Sequence, residues 1–180
     1  IGSETGVADE CEMLEPSLTT TYEVKSGLDA IEKSVISQYR SAVVVGRRVY
    51  IGGLMVENED SSKDIMADAM IKTPVNKFDV FPLSRLIEAS VRDGDEIIKL
   101  EEYADRILQF KKNKVHIINV SQEIEFLEGT FMYKGVSHPA ATCKTDYGIA
   151  WVNKLGCYLY DGEKVSNILE RKGSKLISDS

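Results

Sequence analysis

A chain of 180 residues with a net charge of −7 is long enough to bury one real core, and its acidic balance is wrong for a general nucleic-acid surface, which needs clustered Lys and Arg. No apolar run approaches the ~18 residues of a membrane-spanning helix, and the first residues lack the basic and apolar regions of a signal peptide. The chain opens on Ile1 rather than Met, which reads as a processed product or a piece cut from a longer chain. Cys11, Cys143 and Cys157 are an odd number with no CxxC spacing, so reduced thiols are expected rather than a disulfide framework.

Residues 1–39 read as an acidic arm and lead-in. Its first part is polar and aperiodic, and from Ser26 the residues Leu28, Ile31, Val35 and Ile36 fall near helical spacing. A short helix to about Tyr39 is one reading, and an irregular lead-in strand is the other. Residues 40–54 then form a hairpin, with Ala42 to Val45 facing Val49 to Ile51 across Gly46, Arg47 and Arg48. After an acidic loop, residues 64–70 are ambiguous, whereas 72–78, which hold Pro74, suit an edge strand. A further strand is expected within 86–91.

The clearest text lies between Asp105 and Gly162, where an apolar run, a short turn and a second apolar run occur twice. Strands are expected over 97–100, 107–110, 115–120 and 124–133, then 140–144, 149–152, 157–160 and 164–168. Ile107, Leu108, Phe110, Val115, Ile117, Ile149, Trp151, Val152 and Leu159 are the candidate core. Leu108 and Ile149 are 41 positions apart, and Val44 and Leu108 are 64 apart, the excess matching the longer loops between them. Units of about 40–50 residues with four short strands have the spacing of propeller blades. The expected fold is therefore all-β: antiparallel, blade-like repeats over 40–172 forming a partial β-propeller, followed by a tail over 173–180. Three units are fewer than the roughly four to eight that close a propeller. The chain is then a fragment, or shares a ring with other chains, or stacks as an open array whose edges call for a partner.

No pattern carries chemistry. His116 alternates with apolar neighbours in a strand and should face solvent or a neighbouring strand, while His138 with Cys143 has no second pair of ligands at zinc spacing. Ser137 and His138 are adjacent, which on a strand points them to opposite faces. The turn aspartates lack a calcium-loop pattern and suit capping, and Gly52-Gly53 lacks the Lys of a phosphate loop. No enzyme activity, cofactor or metal is expected. Arg47, Arg48, Lys111 and Lys112 sit at hairpin turns, where a basic rim could meet an acidic partner. Tyr147, Trp151, Tyr158 and Tyr160 cluster on the last hairpin, either as cross-strand pairs that build the sheet or as a glycan platform.

Three stretches carry a resemblance: 105–113, DRILQFKKN; the Gly135-Val136-Ser137-His138-Pro139 loop; and 148–162, in which Gly156-Cys157-Tyr158-Leu159-Tyr160-Asp161-Gly162 follows a strand. Together they resemble repeats in propeller-like tail proteins of short-tailed bacteriophages, marine ones among them, over about 40–172. Residues 47–52 and 72–79 fit the same picture. The resemblance implies a non-enzymatic block of the tail tube or nozzle, made in the host cytoplasm and resident in the virion. Its implied partners are other virion subunits, as a homo-oligomer or as part of a longer chain, without membrane or nucleic acid. Tail proteins of this kind are several times longer. A glycan- or protein-binding propeller module for host attachment is the alternative.

Overall fold

The computed structural model describes residues 35–57, 61–78, 81–89 and 94–169. The acidic arm, most of the expected helix and the tail lie outside those residues. The described chain is all-β and antiparallel throughout, in three sheets taken in chain order. Sheet A holds β1 (Val35–Gln38), β2 (Ser41–Val45), β3 (Arg48–Glu57), β4 (Lys63–Lys72) and β5 (Leu86–Ile87). The strands β1 and β2 lie along different stretches of the long β3, so sheet A is effectively four strands wide. Sheet B is the meander β6 (Ile97–Tyr103), β7 (Arg106–Lys111), β8 (Lys114–Asn119) and β9 (Phe126–Met132). Sheet C repeats it with β10 (Thr142–Thr145), β11 (Gly148–Asn153), β12 (Gly156–Tyr160) and β13 (Val165–Asn167).

Local chemistry sets the turns. Gly46 and Arg47 both have φ near +60°, the two-residue turn whose twist suits a hairpin. Asn113 donates from its backbone and side-chain nitrogens to Asp95, which pins the β7–β8 turn. Asn153 Oδ1 accepts from Leu155 N and Gly156 N, and Asp161 Oδ1 accepts from Glu163 N and Lys164 N. These are the turn and capping roles expected of loop Asp and Asn. Gly148 is obligatory at its place: φ is +136° and a Cβ there would lie 1.9 Å from the Tyr160 carbonyl oxygen.

Several expectations need correction. For residues 35–38 the helical reading gives way to the lead-in strand, because the long β3 offers them a backbone ladder. The ambiguous stretch 64–70 is the body of β4, and the expected edge strand over 72–78 is mostly a turn. There Thr73 N donates to Val49 O and Asn76 N to Arg47 O, while Pro74 has no N–H to offer a ladder. Of the strand expected over 86–91, Leu86–Ile87 is strand, 88–89 is not, and 90–91 lies outside the described residues. The first hairpin is also displaced by one strand: it is β2–β3, an edge strand and its neighbour, whereas the later two hairpins are the middle pairs of their sheets. Val44 is therefore not the counterpart of Leu108.

The sheets pack face to face, with B in the middle. On one face of B, Leu108, Phe110, Val115 and Ile117 meet Ile149, Trp151, Tyr158 and Tyr160 of sheet C. On the other, Ile97, Leu100, Ile107 and Ile118 meet Val45, Tyr50 and Met70 of sheet A. A third cluster, Ile51, Leu54, Val56, Ala69 and Ile71, occupies the far face of sheet A. The rings of Phe110 and Trp151 meet edge to face at 5.2 Å between centroids, and Trp151 Nε1 donates to Lys134 O at 2.7 Å. Seven of the nine candidate core residues are buried. Val152 and Leu159 are not, because in β11 and β12 only alternate residues face sheet B.

The A–B contact carries a polar stripe that the apolar text of β7 hides. Gln109, Lys111 and His116 are buried on it, and His116 Nδ1 bonds to Thr130 Oγ1 at 2.8 Å on the neighbouring strand. Of the two readings of His116, the neighbouring strand holds and the solvent-facing one does not. Among the described residues the Gln109 amide has no hydrogen-bond partner, which costs about 1–3 kcal/mol.

Phe110→Ala and Trp151→Ala should each destabilise the protein by about 3–5 kcal/mol in denaturant unfolding, with Val152→Ala costing less than ~1 kcal/mol. Equal losses at all three positions would contradict the packing described.

Candidate assembly surface

Alternation in sheet C places Ile149, Trp151, Tyr158 and Tyr160 against sheet B and turns the other residues outward. Strand register puts Cys143 beside Ala150, Ala150 beside Leu159, and Val152 beside Cys157. The outward face is thus lined by two thiols, an alanine, a valine and a leucine, with Val152 52% exposed and Cys143 exposed. It is the counterpart of the face of B that C covers, with smaller side chains than the Leu108, Phe110, Val115 and Ile117 found there. Near it, the turn residues Tyr147 and Leu155 stand out into solvent, Tyr147 at 79% exposure. A second apolar strip runs along β9, where Phe126, Leu127 and Met132 are exposed beside the turn residue Tyr133.

The glycan platform does not form from the residues expected to make it. Trp151, Tyr158 and Tyr160 are core, stacked between sheets B and C, and Tyr147 alone of the four is exposed. The Tyr160 ring also meets Tyr103 edge to face at 5.7 Å. Apolar burial outcompetes exposure for these rings because β12 turns them to the inner face.

The basic rim also divides. Arg47 and Lys112 are exposed at their turns, but Lys111 is fully buried as the last residue of β7, where it faces the A–B contact. Arg48 is spent inside the molecule: Nη2 donates to Glu123 at 2.6 Å. Lys111 and Arg48 are therefore not free turn charges.

The Arg48–Glu123 pair belongs to a charged bracket that sequence reading missed, since it joins residues about 75 positions apart. The loop 121–125 after β8 reaches across to sheet A. There Lys72 Nζ donates to Glu125 Oε1 and to Glu123 O, both at 2.7 Å, and Tyr50 Oη donates to Glu125 Oε1 at 3.1 Å. Lys72 and Glu125 side chains are each 8% exposed. Burial, with the Glu125 carboxylate beside it, pushes the Tyr50 phenol well above its ordinary range. The Arg48 hydrogen bond holds the exposed Glu123 carboxyl below the usual carboxylate range. At the same end of sheet B, Arg106 Nε and Asn119 Nδ2 both donate to Glu128 at 2.6 Å, which lowers that carboxyl as well.

Other sequence candidates scatter. His138 is a cap: its Nδ1 accepts from Ala140 N at 3.1 Å ahead of the 3-10 turn at Pro139–Ala141. Gly52 and Gly53 form a bulge in β3, where Gly53 takes φ +71° and a Cβ on Gly52 would press on Ile97 and Leu100. Among the described residues no three His, Cys, Asp or Glu side chains gather as a cation site. Compared with known proteins, the chain matches no family model and no curated protein.

Removing one member of a buried pair strands the other charge, so Glu125→Ala should cost about 3–5 kcal/mol, and Lys72→Met with Glu125→Leu should recover most of that loss. Thermal unfolding of the two variants checks it.

The neutral Tyr50 phenol is favoured in the folded state, so its contribution is fully present below the ordinary phenol pKa of about 10 and is lost as pH rises beyond it. Stability measured from pH 8 upward should fall more steeply in the wild type than in Tyr50→Phe.

Proposed function

We propose that this chain is a non-enzymatic building block of a bacteriophage virion, a subunit of the tail tube or nozzle that acts by assembly with other virion subunits. The observation that carries the proposal is the outward face of sheet C. Within the described chain, the stacking of one sheet on the next is made mainly by alternate aliphatic and aromatic residues; the same alternation continues onto Ala150, Val152, Cys157 and Leu159, over which the described residues place no sheet. Face-to-face packing of four-stranded meanders is also the way blades pack around a propeller, and three such sheets are fewer than a closed ring needs.

The occupant of that face is an antiparallel sheet from a neighbouring virion subunit. Two aligned sheets pack about 10 Å apart and want interdigitating side chains of moderate size, which Val152, Leu159 and the flanking thiols supply. The exposed Arg47 and Lys112 turns lie at the ends of hairpins, where they would add charge contacts at the rim. The resemblance to short-tailed phage tail proteins, carried by residues 105–113, 135–139 and 148–162, supplies the biological setting.

The test uses purified particles. The protein should be present at ring-like stoichiometry by quantitative mass spectrometry, with Cys143 alkylated in the free protein and protected in the particle. Val152→Asp with Leu159→Asp should abolish incorporation while changing unfolding free energy by about 1 kcal/mol or less. Absence from particles, or incorporation of the double variant at wild-type levels, would overturn the role or the surface.

A further inference from the structure

Sheet B ends on β9, and among the described residues no strand lies along its outer side. On such an edge every second residue directs its N–H and C=O out of the sheet, a template for another strand. Edges are normally blunted by Lys, by Pro or by brevity. The other seven-residue edge strand, β6, carries Lys99, Glu101 and Glu102, and β1, β2, β5, β10 and β13 have five residues or fewer. By contrast, β9 runs Phe-Leu-Glu-Gly-Thr-Phe-Met with no Lys, Arg or Pro. Its one charge, Glu128, is held within the chain by Arg106 and Asn119. Apolar exposure concentrates here as well. Of the fourteen exposed large apolar side chains among the described residues, five lie between 124 and 133: Ile124, Phe126, Leu127, Met132 and Tyr133.

The register of β9 on β8 assigns its side chains to faces. Phe131 lies opposite Val115, Gly129 opposite Ile117 and Phe126 opposite Asn119, on the face turned toward sheet C. Thr130 lies opposite His116 and Leu127 opposite Ile118, on the face turned toward sheet A. Glu128 is the extra residue of a bulge, so Leu127 and Glu128 together fill one position. A bulge can blunt an edge by twisting it; here it is also what brings Phe126 and Phe131 onto one face. Counted this way, β9 is self-complementary about Gly129. Set antiparallel to its own copy with Gly129 facing Gly129, Phe126 stands opposite Phe131 on one face, twice over. On the other face Leu127 stands opposite Thr130 and diagonal to Met132. Just past the strand ends, Tyr133 of one copy comes alongside Ile124 of the other, residues that are 71% and 79% exposed in the single chain. A parallel pairing in register would instead set Glu128 beside Glu128, and an antiparallel pairing slid by one residue would set side chains of opposite faces against each other.

We propose that two copies of this chain pair edge to edge along β9, antiparallel about a two-fold axis at Gly129, so that their middle sheets become one continuous sheet. A two-fold contact uses the same patch on both copies, which is what a self-complementary strand offers. The backbone ladder gives the contact its direction, and the two Phe126–Phe131 pairs give it apolar area. The contact shares no residue with the outward face of sheet C, so it goes beyond the assembly role proposed above and is tested apart from it.

The experiment is sedimentation of the whole protein over a concentration series, with a cysteine at the axis to report the register. The wild type should show a monomer–dimer equilibrium. Phe126→Lys with Leu127→Lys places like charges across the axis and should weaken dimerisation about tenfold or more, whereas Val152→Asp with Leu159→Asp should leave it unchanged. Both lysine positions are exposed, and thermal melts confirm that each variant is folded. A Cβ on Gly129 meets nothing closer than Phe131 Cε2 at 3.5 Å, so Gly129→Cys is accommodated. With Cys11, Cys143 and Cys157 replaced by serine, it should cross-link to its own copy under mild oxidation. Directly opposed residues have Cα atoms about 4.5–5.5 Å apart, within the span of a disulfide. Met132→Cys in the same background, displaced from the axis, should not cross-link; sedimentation carries the test if the serine background does not fold. A wild type that stays monomeric, a dimer that survives the folded double lysine variant, a dimer lost with Val152→Asp and Leu159→Asp instead, or cross-linking at Met132 rather than at Gly129 would each overturn the proposal.

Discussion

The middle sheet is buried on both faces, and the rest of the architecture follows from that. A strand between two layers has no solvent face to call for alternating polar residues, because water reaches neither side. In β7 and β8, Ile107, Leu108, Phe110, Val115, Ile117 and Ile118 fill both contacts, so sheet B serves as the common wall of two cores. Sheets A and C lean on it from opposite sides. Without B, neither outer sheet has a surface on which to bury its inner face.

Burial on two sides forces polar groups into the interior as well. Gln109, Lys111 and His116 lie on the A-facing side of B, where a longer apolar stripe would cost less. His116 is satisfied by Thr130 across the strand pair, whereas the Gln109 amide finds no partner among the described residues. A buried polar stripe of this kind sets the position of the A–B contact more narrowly than aliphatic packing alone, since sliding one sheet past the other would strand these groups. The Lys72–Glu125–Tyr50 bracket acts in the same sense from the margin. It ties the loop after β8 to β3 and β4, so the first and second sheets are held by directional bonds in addition to apolar area.

The B–C contact is built differently. Its centre is aromatic, with Phe110, Trp151 and Tyr158 in successive ring contacts, and its hydrogen bonds run from side chains to backbone: Trp151 to Lys134 O, and Asn153 Nδ2 to Tyr133 O and Gly135 O. Those bonds hold the connection between the sheets close to β11. Gly135 is the geometric consequence, since a Cβ there would lie 2.3 Å from the Lys111 carbonyl oxygen.

Local chemistry in the sequence determined the strands and most of the turns. The β-branched and aromatic runs, the Asp-Gly and Asn-Lys turns, and the near-40-residue spacing of the last two units are all local or periodic signals, legible because backbone and side-chain preferences act over a few residues. Seven of nine core residues followed from the same signals. Tertiary structure decided what locality cannot encode. It chose which face of β11 and β12 points inward, making Trp151, Tyr158 and Tyr160 core and leaving Val152 exposed; it turned Lys111 from a turn charge into a buried group; and it joined Lys72 to Glu125. It also decided that residues 35–38 pair with β3, since a strand needs a partner and the sequence of 35–38 does not say where that partner lies. In each case the deciding energy comes from contacts between residues distant along the chain, and such contacts exist only once the sheets have stacked.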